Sequence, residues 1–290
     1  MDAVISKRQY DKTVSDTVFT GRRVPTRCAP MPGESVELER LLFDVSDHVA
    51  TITINRPERL NATDDLARSE LGACWARVRE DPDIRVAIIT GAGDRAFCAG
   101  QDIRATAESG IRNKVPGSRL HHNVWKPVIC AINGMAVGGG LHQVADSDLI
   151  IAAEHAELID THLQVGNVFA LEAAVLLRRM PISMVMQLAL MTKAGRISAQ
   201  RGYEIGLINE VVPANRLQAR AREIALSIAE LSPATVQASI KAMWASLDVG
   251  LHAANDVAYR YVLHHQMTHP DYHEGMAAFA EKRQPRWVVD

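Results

Sequence analysis

Cysteine, aromatic residues, net charge and long apolar runs are all scarce in this sequence of 290 residues. The four cysteines, Cys28, Cys74, Cys98 and Cys130, are scattered, with neither a CxxC pair nor the Cys/His spacing of a metal site. This usage predicts a reduced, cytoplasmic protein without a bound metal. The formal net charge is only −2, so no nucleic-acid partner is expected. No apolar run approaches the about 20 residues that span a bilayer, so no membrane partner is expected either.

Residues 1–35 contain prolines and charges of both signs but not the apolar core of a signal peptide. Asp2, Asp11 and Asp16 are unusual for a transit peptide, which is poor in acidic residues. We therefore interpret residues 1–35 as an N-terminal extension. The whole chain is 47% apolar, so the rest of it can bury a sizeable core.

Strand patterns alternate with helical ones from about Glu37 onward. Val49–Ile54 alternates its apolar residues and stops at an Asn-Arg-Pro turn, which is typical of a β-strand. A cap candidate at Thr63 and the residues Asp64 and Asp65 precede an amphipathic helix. Its apolar face contains Leu71, Cys74, Trp75 and Val78. Apolar runs predict buried strands at residues 86–90, 128–132 and 149–153, and this order indicates an α/β fold of βαβ units.

The chain becomes helical after about Ala170, with no internal repeat. Helical patterns lie at residues 172–179, 184–191, 199–206, 216–231, 233–247 and 253–283. We predict a core over residues 36–215 and a helical C-terminal region over residues 216–290.

A glycine triplet follows the strand at residues 128–132 and opens a short helix at residues 141–147. The segment 126–140 reads KPVICAINGMAVGGG. Glycines at a helix start let a ligand approach bare N–H groups, where the helix dipole also favours negative charge. The segment therefore suits the binding of an oxyanion.

Several motifs resemble those of the crotonase (enoyl-CoA hydratase/isomerase) family in order and spacing. They are NRPERLNA at residues 55–62, FCAGQDI at 97–103, the segment 126–140, ISAQ at 197–200, GLINEVVP at 206–213 and FAEKR at 279–283. The chain is identified as a divergent member of this family over residues 36–287. The resemblance implies a spiral of ββα units with a helical C-terminal trimerisation region, and a homotrimer or homohexamer.

The resemblance also implies a coenzyme A thioester as substrate, with no tightly bound cofactor. The N–H groups of Ala99 and Gly139 would form the oxyanion hole that holds the thioester carbonyl as it becomes an enolate. Contacts to coenzyme A are expected from Ala99, Gly100, Gln101, Asp102, Ile103, Gly139 and Lys282. For Lys282, a phosphate contact competes with the alternative of a solvated lysine at a helix end.

Two histidines stand where family hydratases have catalytic glutamates. His142 follows the glycine triplet, and His162 takes the second position about twenty residues on. Histidine has an ordinary pKa near 6.5 and can act as general acid or base near neutrality, so both are candidate catalytic residues. For either histidine the alternative is a hydrogen-bonded structural role. The bulkier residues 165–172 predict an acyl pocket of altered shape.

Six further residues near these motifs are weaker candidates. Asp160 can orient His162, and Glu172 can return a carboxylate to the pocket, although a glutamate at a helix start is also common. Cys98 is interpreted as core filler, and Asp148 as a structural cap or ion-pair partner. His121 and His122 are interpreted as exposed loop residues that could line a pocket edge.

Three functions compatible with the resemblance remain open. The first is an acyl-CoA hydratase or isomerase, a lyase-type enzyme that stabilises a thioester enolate and uses histidines as acid and base. The second is a hydrolase that cleaves a C–C bond of a (cyclic) β-diketone, since a histidine can activate water against a ketone. The third is a non-catalytic acyl-CoA-binding protein, which would bind the ligand without turnover.

Overall fold

A computed structural model describes residues 38–105 and 117–288. The predicted N-terminal extension, residues 1–35, and Cys28 lie outside this range. Within it, a six-stranded sheet has the order β1-β2-β3-β5-β7-β10. Its strands are β1 (Leu41–Ser46), β2 (Val49–Ile54), β3 (Val86–Gly91), β5 (Val128–Ile132), β7 (Leu149–Ala153) and β10 (Glu210–Val212).

Parallel pairing dominates this sheet, as the alternation of strands and helices predicts. Strands β2, β3, β5, β7 and β10 are parallel neighbours, and β1 pairs antiparallel with β2. The β1–β2 turn consists of Asp47 and His48, both with positive φ (49° and 63°), which matches the right-handed twist of a tight hairpin.

A second, four-stranded sheet has the order β4-β6-β8-β9. Its strands are β4 (Ala96–Cys98), β6 (Met135–Val137), β8 (Glu157–Ile159) and β9 (Ile197–Ser198). Each of β4, β6 and β8 follows a long strand of the first sheet, so a long and a short strand form each turn of the spiral. The sequence analysis did not predict these strands individually, because a segment of two or three residues has no readable periodicity.

Nine α-helices complete the described residues. They are α1 (Asp65–Glu80), α2 (Leu141–Asp146), α3 (Leu171–Leu176), α4 (Ile182–Met191), α5 (Ala199–Glu204), α6 (Leu217–Ala229), α7 (Pro233–Ser246), α8 (Leu251–Thr268) and α9 (Asp271–Glu281). The helical pattern predicted over residues 253–283 corresponds to two helices, α8 and α9, separated at Pro270, which has no N–H to continue the first helix.

Two apolar cores lie on the two faces of the large sheet. Helix α1 contributes Leu71, Cys74, Trp75 and Val78, which are 0–3% exposed, to the larger core. Helix α6 packs on the opposite face through Ala221 and other small residues. The C-terminal helical region is thus anchored to the sheet through its first helix.

Helices α8 and α9 expose large apolar side chains to solvent. Helix α8 contains no buried residue, and Met267 and Phe279 are 81% and 88% exposed. Between residues 38 and 288, leaving out 106–116, no helix is both long and apolar enough to cross a membrane.

Candidate active site

Backbone packs directly on backbone where the glycine triplet meets the segment after β4. Gly100 has φ of 84°, and a β-carbon there would lie 2.6 Å from the Val137 carbonyl oxygen and 3.0 Å from Gly139 N. A β-carbon on Gly140 would lie 2.5 Å from the Cys98 carbonyl oxygen. Both glycines are required by this close approach. As a result the triplet, Gly138–Gly140, begins beside Gly100 and Gln101.

The structure corrects the donor expected at Ala99. The Ala99 N–H donates to the Leu60 carbonyl oxygen at 3.0 Å, so this amide is already used to hold the β4 segment in place. The backbone nitrogen next to the triplet is instead that of Gln101, two residues on, which lies 3.8 Å from a β-carbon built on Gly139. Gly139 itself keeps its predicted position in the one-turn helix ahead of α2.

His162 packs against Gly138, the first residue of the triplet. It lies directly after Asp160 and Thr161, and a β-carbon on Gly138 would be 3.7 Å from His162 Cε1. The fully buried Asp160 carboxylate contacts His162 Nδ1 at 2.6 Å through Oδ1 and accepts the His162 N–H at 3.2 Å through Oδ2. The hydrogen bond to Asp160 raises the pKa of His162, burial opposes this, and the charge of Glu172 adds to it.

Glu172 joins the two histidines. Its Oε1 lies 3.0 Å from His142 Nε2 and 3.6 Å from His162 Nε2, and the residue is only 3% exposed. Burial opposes ionisation, but the hydrogen bond and charge of His142, with the charge of His162, lower the pKa of the Glu172 carboxyl below its ordinary value. The structure thus places a carboxylate between His142 and His162, at the start of α3.

His121 approaches this group and His122 does not. The His121 ring meets the His142 ring edge to face, with centroids 6.1 Å apart. His122 packs instead against α1, where a β-carbon on Gly72 would be 3.1 Å from its Cε1. Both residues lie on the one-turn helix Leu120–His122 rather than in a loop. The prediction of exposure holds for His121, although its ring makes specific contacts, and it is corrected for His122, which is half-buried against α1.

The remaining candidates are held by structural contacts or lie at the surface. Asp102 accepts a hydrogen bond from Arg56 at 3.2 Å, and Asp148 pairs with the buried Arg119, as a structural partner would. Burial raises the pKa of the Cys98 thiol to about 11, as expected of core filler. Lys282 closes α9 with φ of 54° and, like Ile103, is exposed.

The sequence analysis did not predict a role for Asp146, on the same helix as His142, or for Ser118, which donates a hydrogen bond to Asp146. Asp146 ends α2 one turn after His142, a spacing of four residues that places side chains on one helix face. That spacing is the signal that could have found it. Ser118 has no such signal, because it precedes β5 in an irregular segment.

Comparisons with known proteins agree with this fold and show the family. A sequence profile described as enoyl-CoA hydratase/isomerase matches residues 44–289. The chain is 38% identical to (E)-benzylidenesuccinyl-CoA hydratase of Thauera aromatica, over 84% of this chain and 96% of that one. It is 37% identical to carnitinyl-CoA dehydratase of Proteus mirabilis, over 82% and 94% of the two chains. A crystal structure of an enoyl-CoA hydratase/isomerase from Mycobacterium paratuberculosis superposes with a TM-score of 0.81 at 36% identity, covering 88% of this chain and 100% of that one. The chain belongs to the enoyl-CoA hydratase/isomerase family, the crotonase superfamily.

Proposed function

We propose that this protein reversibly adds water across the α,β double bond of a coenzyme A thioester. The oxygen of water bonds to Cβ, a proton is delivered to Cα, and the thioester carbonyl carries the negative charge in between. Family membership supports this reaction class, and relatives named as a hydratase and as a dehydratase correspond to its two directions. The observation that carries the proposal is the Glu172 carboxylate held between His142 and His162.

The oxyanion would be held by the backbone N–H groups of Gly139 and Gln101. Their proximity across Gly100 supports this pair, and the Leu60 contact removes Ala99 from the role. Losing one such donor typically costs about 10²–10³ in rate. The bare glycines on both sides leave room for the thioester oxygen to approach the donors.

Glu172 is the group we assign as base, because its lowered pKa keeps it ionised at neutral pH. It would accept the proton of the attacking water. His162, whose raised pKa favours its cationic form, would deliver a proton to Cα. His142 would hold Glu172 and the water in place through its 3.0 Å contact. The proton gained by Glu172 can pass back to His162, so the site is restored after each turnover.

Coenzyme A enters as part of the substrate, and Lys282 is the phosphate contact we propose. We also propose a homotrimer or homohexamer, as the family resemblance implies, and a cytoplasmic location. The exposed apolar side chains of α8 and α9 support burial of this region against other copies of the chain.

Loss of the conjugated-thioester absorbance tests the proposal directly. Purified protein is mixed with crotonyl-CoA and with bulkier, cyclic and branched enoyl-CoA thioesters. Turnover of any of them at rates typical of enzymes, about 1–10³ s⁻¹, supports hydration. Cleavage of a β-diketone without turnover of any enoyl-CoA would instead establish the hydrolase alternative. Binding of acyl-CoA without turnover, unchanged in His142→Ala, would establish the non-catalytic alternative.

Asp160→Asn is expected to move the alkaline limb of the pH–kcat profile to lower pH. The Asp160 carboxylate is the main cause of the raised pKa of His162, so without that charge the imidazolium loses its proton earlier as the pH rises. The variant should therefore lose more activity at pH 8 than at pH 6, with KM little changed. Asp94→Asn, at an exposed turn, is the control. An alkaline limb identical to that of the wild type would show that His162 is not the acid.

A further inference from the structure

His121 is the most exposed member of the histidine group. It lies on the one-turn helix Leu120–His122, and its side chain is 34% exposed, whereas that of His142 is 12% exposed. The two rings are nearly perpendicular, at 89°, with centroids 6.1 Å apart. This edge-to-face arrangement is the favoured geometry for two aromatic rings. His142 is therefore in contact with the His121 ring as well as with the Glu172 carboxylate.

Buried polar groups fix the orientation of the His121 ring. The Ser118 hydroxyl, 0% exposed, lies 2.7 Å from His121 Nδ1 and donates a short hydrogen bond to Asp146 Oδ2. A hydroxyl carries one hydrogen, and since Asp146 receives it, the oxygen of Ser118 accepts from His121 Nδ1–H. The ring is thereby tied to the end of the same helix, α2, that carries His142.

Burial favours the neutral form of His121. The ring faces Asp146 and His142 of α2, and His122 stands beside it on its own turn. Burial lowers the pKa of His121, the charge of Asp146 opposes this, and the charge of His142 lowers the pKa further.

We propose that His121, tied to the Ser118–Asp146 pair, is a positioning residue that keeps the His142 ring and its proton directed at Glu172. The inference rests on the proposed function of Glu172 and His142. Two buried carboxylates would then orient the histidines of the site. Asp160 contacts His162 directly, and Asp146 holds His121 through the Ser118 hydroxyl.

Two substitutions test separately the contribution of the His121 ring and that of its hydrogen bond to Ser118. His121→Phe keeps the edge-to-face contact but cannot be protonated, whereas His121→Asn keeps an amide donor for Ser118 without the ring. We expect His121→Asn to lower kcat about tenfold or more with little change in KM, because His142 is no longer held against Glu172. We expect His121→Phe to lower kcat only about threefold at pH 7, because phenylalanine keeps the ring contact with His142 and loses only the hydrogen bond to Ser118.

A measurement independent of turnover distinguishes this inference from the proposed function. The His142 Nε2–H proton is followed by NMR in wild type, His121→Asn and the control His122→Gln, because a proton held against Glu172 exchanges slowly with water. Its exchange should be faster in His121→Asn and unchanged in His122→Gln. Unchanged exchange, or full kcat, in His121→Asn would overturn the role of His121. An inactive wild type in which the variant shows the expected faster exchange would overturn only the proposed reaction.

Discussion

Replacing Glu172 by glutamine should lower kcat by about 10²–10⁴, the usual contribution of a positioned acid or base. The amide has the size of the carboxylate but cannot accept a proton from water, and it removes the negative charge that faces both histidines. KM should change much less than kcat, because the proposed coenzyme A contacts lie on other segments. Steady-state rates from pH 5 to pH 9 measure the effect, with any acyl-CoA that the wild type converts.

Glu204→Gln is the matched control for this experiment. Glu204 ends α5 and forms an exposed pair with Arg201, so its neutralisation should leave kcat unchanged. A wild-type kcat in Glu172→Gln would show that Glu172 is not the base. Its role would then be that of a favourable charge in the first turn of α3, which contributes only about 0.3–1 kcal/mol of stability.

Arg119→Met should destabilise the folded chain by about 3–5 kcal/mol, the usual result of removing one partner of a buried ion pair. The Arg119 side chain is 1% exposed and pairs with Asp148. It also donates to the carbonyl oxygens of Asp146, at 2.5 Å, and Val124, at 2.9 Å, and lies 5.7 Å from the ring centre of Trp244. Methionine would leave two carbonyl groups without this donor and the Asp148 carboxylate without its cation, while the Val128 N–H and the Trp244 Nε1–H still donate to it.

Urea unfolding at one fixed protein concentration measures this loss, because the stability of the proposed oligomer would depend on concentration. Arg178→Met is the comparison, since the pair of Arg178 with Asp248 is exposed on both sides. Exposed pairs contribute about 0–1 kcal/mol, so this variant should unfold near the wild type. Equal midpoints for the two variants would show that Arg119 does not hold α7 to the core.

Four of the six strands of the large sheet and most helices were predictable because their apolar patterns run for five residues or more, whereas β1 and the three-residue β10 were not predicted. Residues 86–90, 128–132 and 149–153 were predicted as buried strands, and β3, β5 and β7 lie there. The short strands were not individually predictable, since their pairing depends on contacts between residues distant in sequence. The division at residue 215 remains a prediction, and α6, just beyond it, packs on the core.

Motif order located His142 and His162, but it could not show what stands between them. Glu172 comes after the exposed residues 163–168, and only the three-dimensional course of that segment turns its carboxylate inward. The same limit explains why the sequence analysis assigned the oxyanion donor to Ala99. A motif locates the segment, but it does not show that the Ala99 N–H is already bonded to Leu60, 39 residues earlier in the sequence. Roles of individual atoms therefore required the structure.

The position of Glu172 in α3 restricts the length of the segment that joins it to His162. Surface loops ordinarily tolerate insertions and deletions, and most of residues 163–171 are exposed. Here, however, the carboxylate is in the first turn of α3, and a helix turns by about 100° per residue. A length change of one residue that shifts the register of α3 would swing Glu172 out of the site, so this loop can vary in composition far more freely than in length.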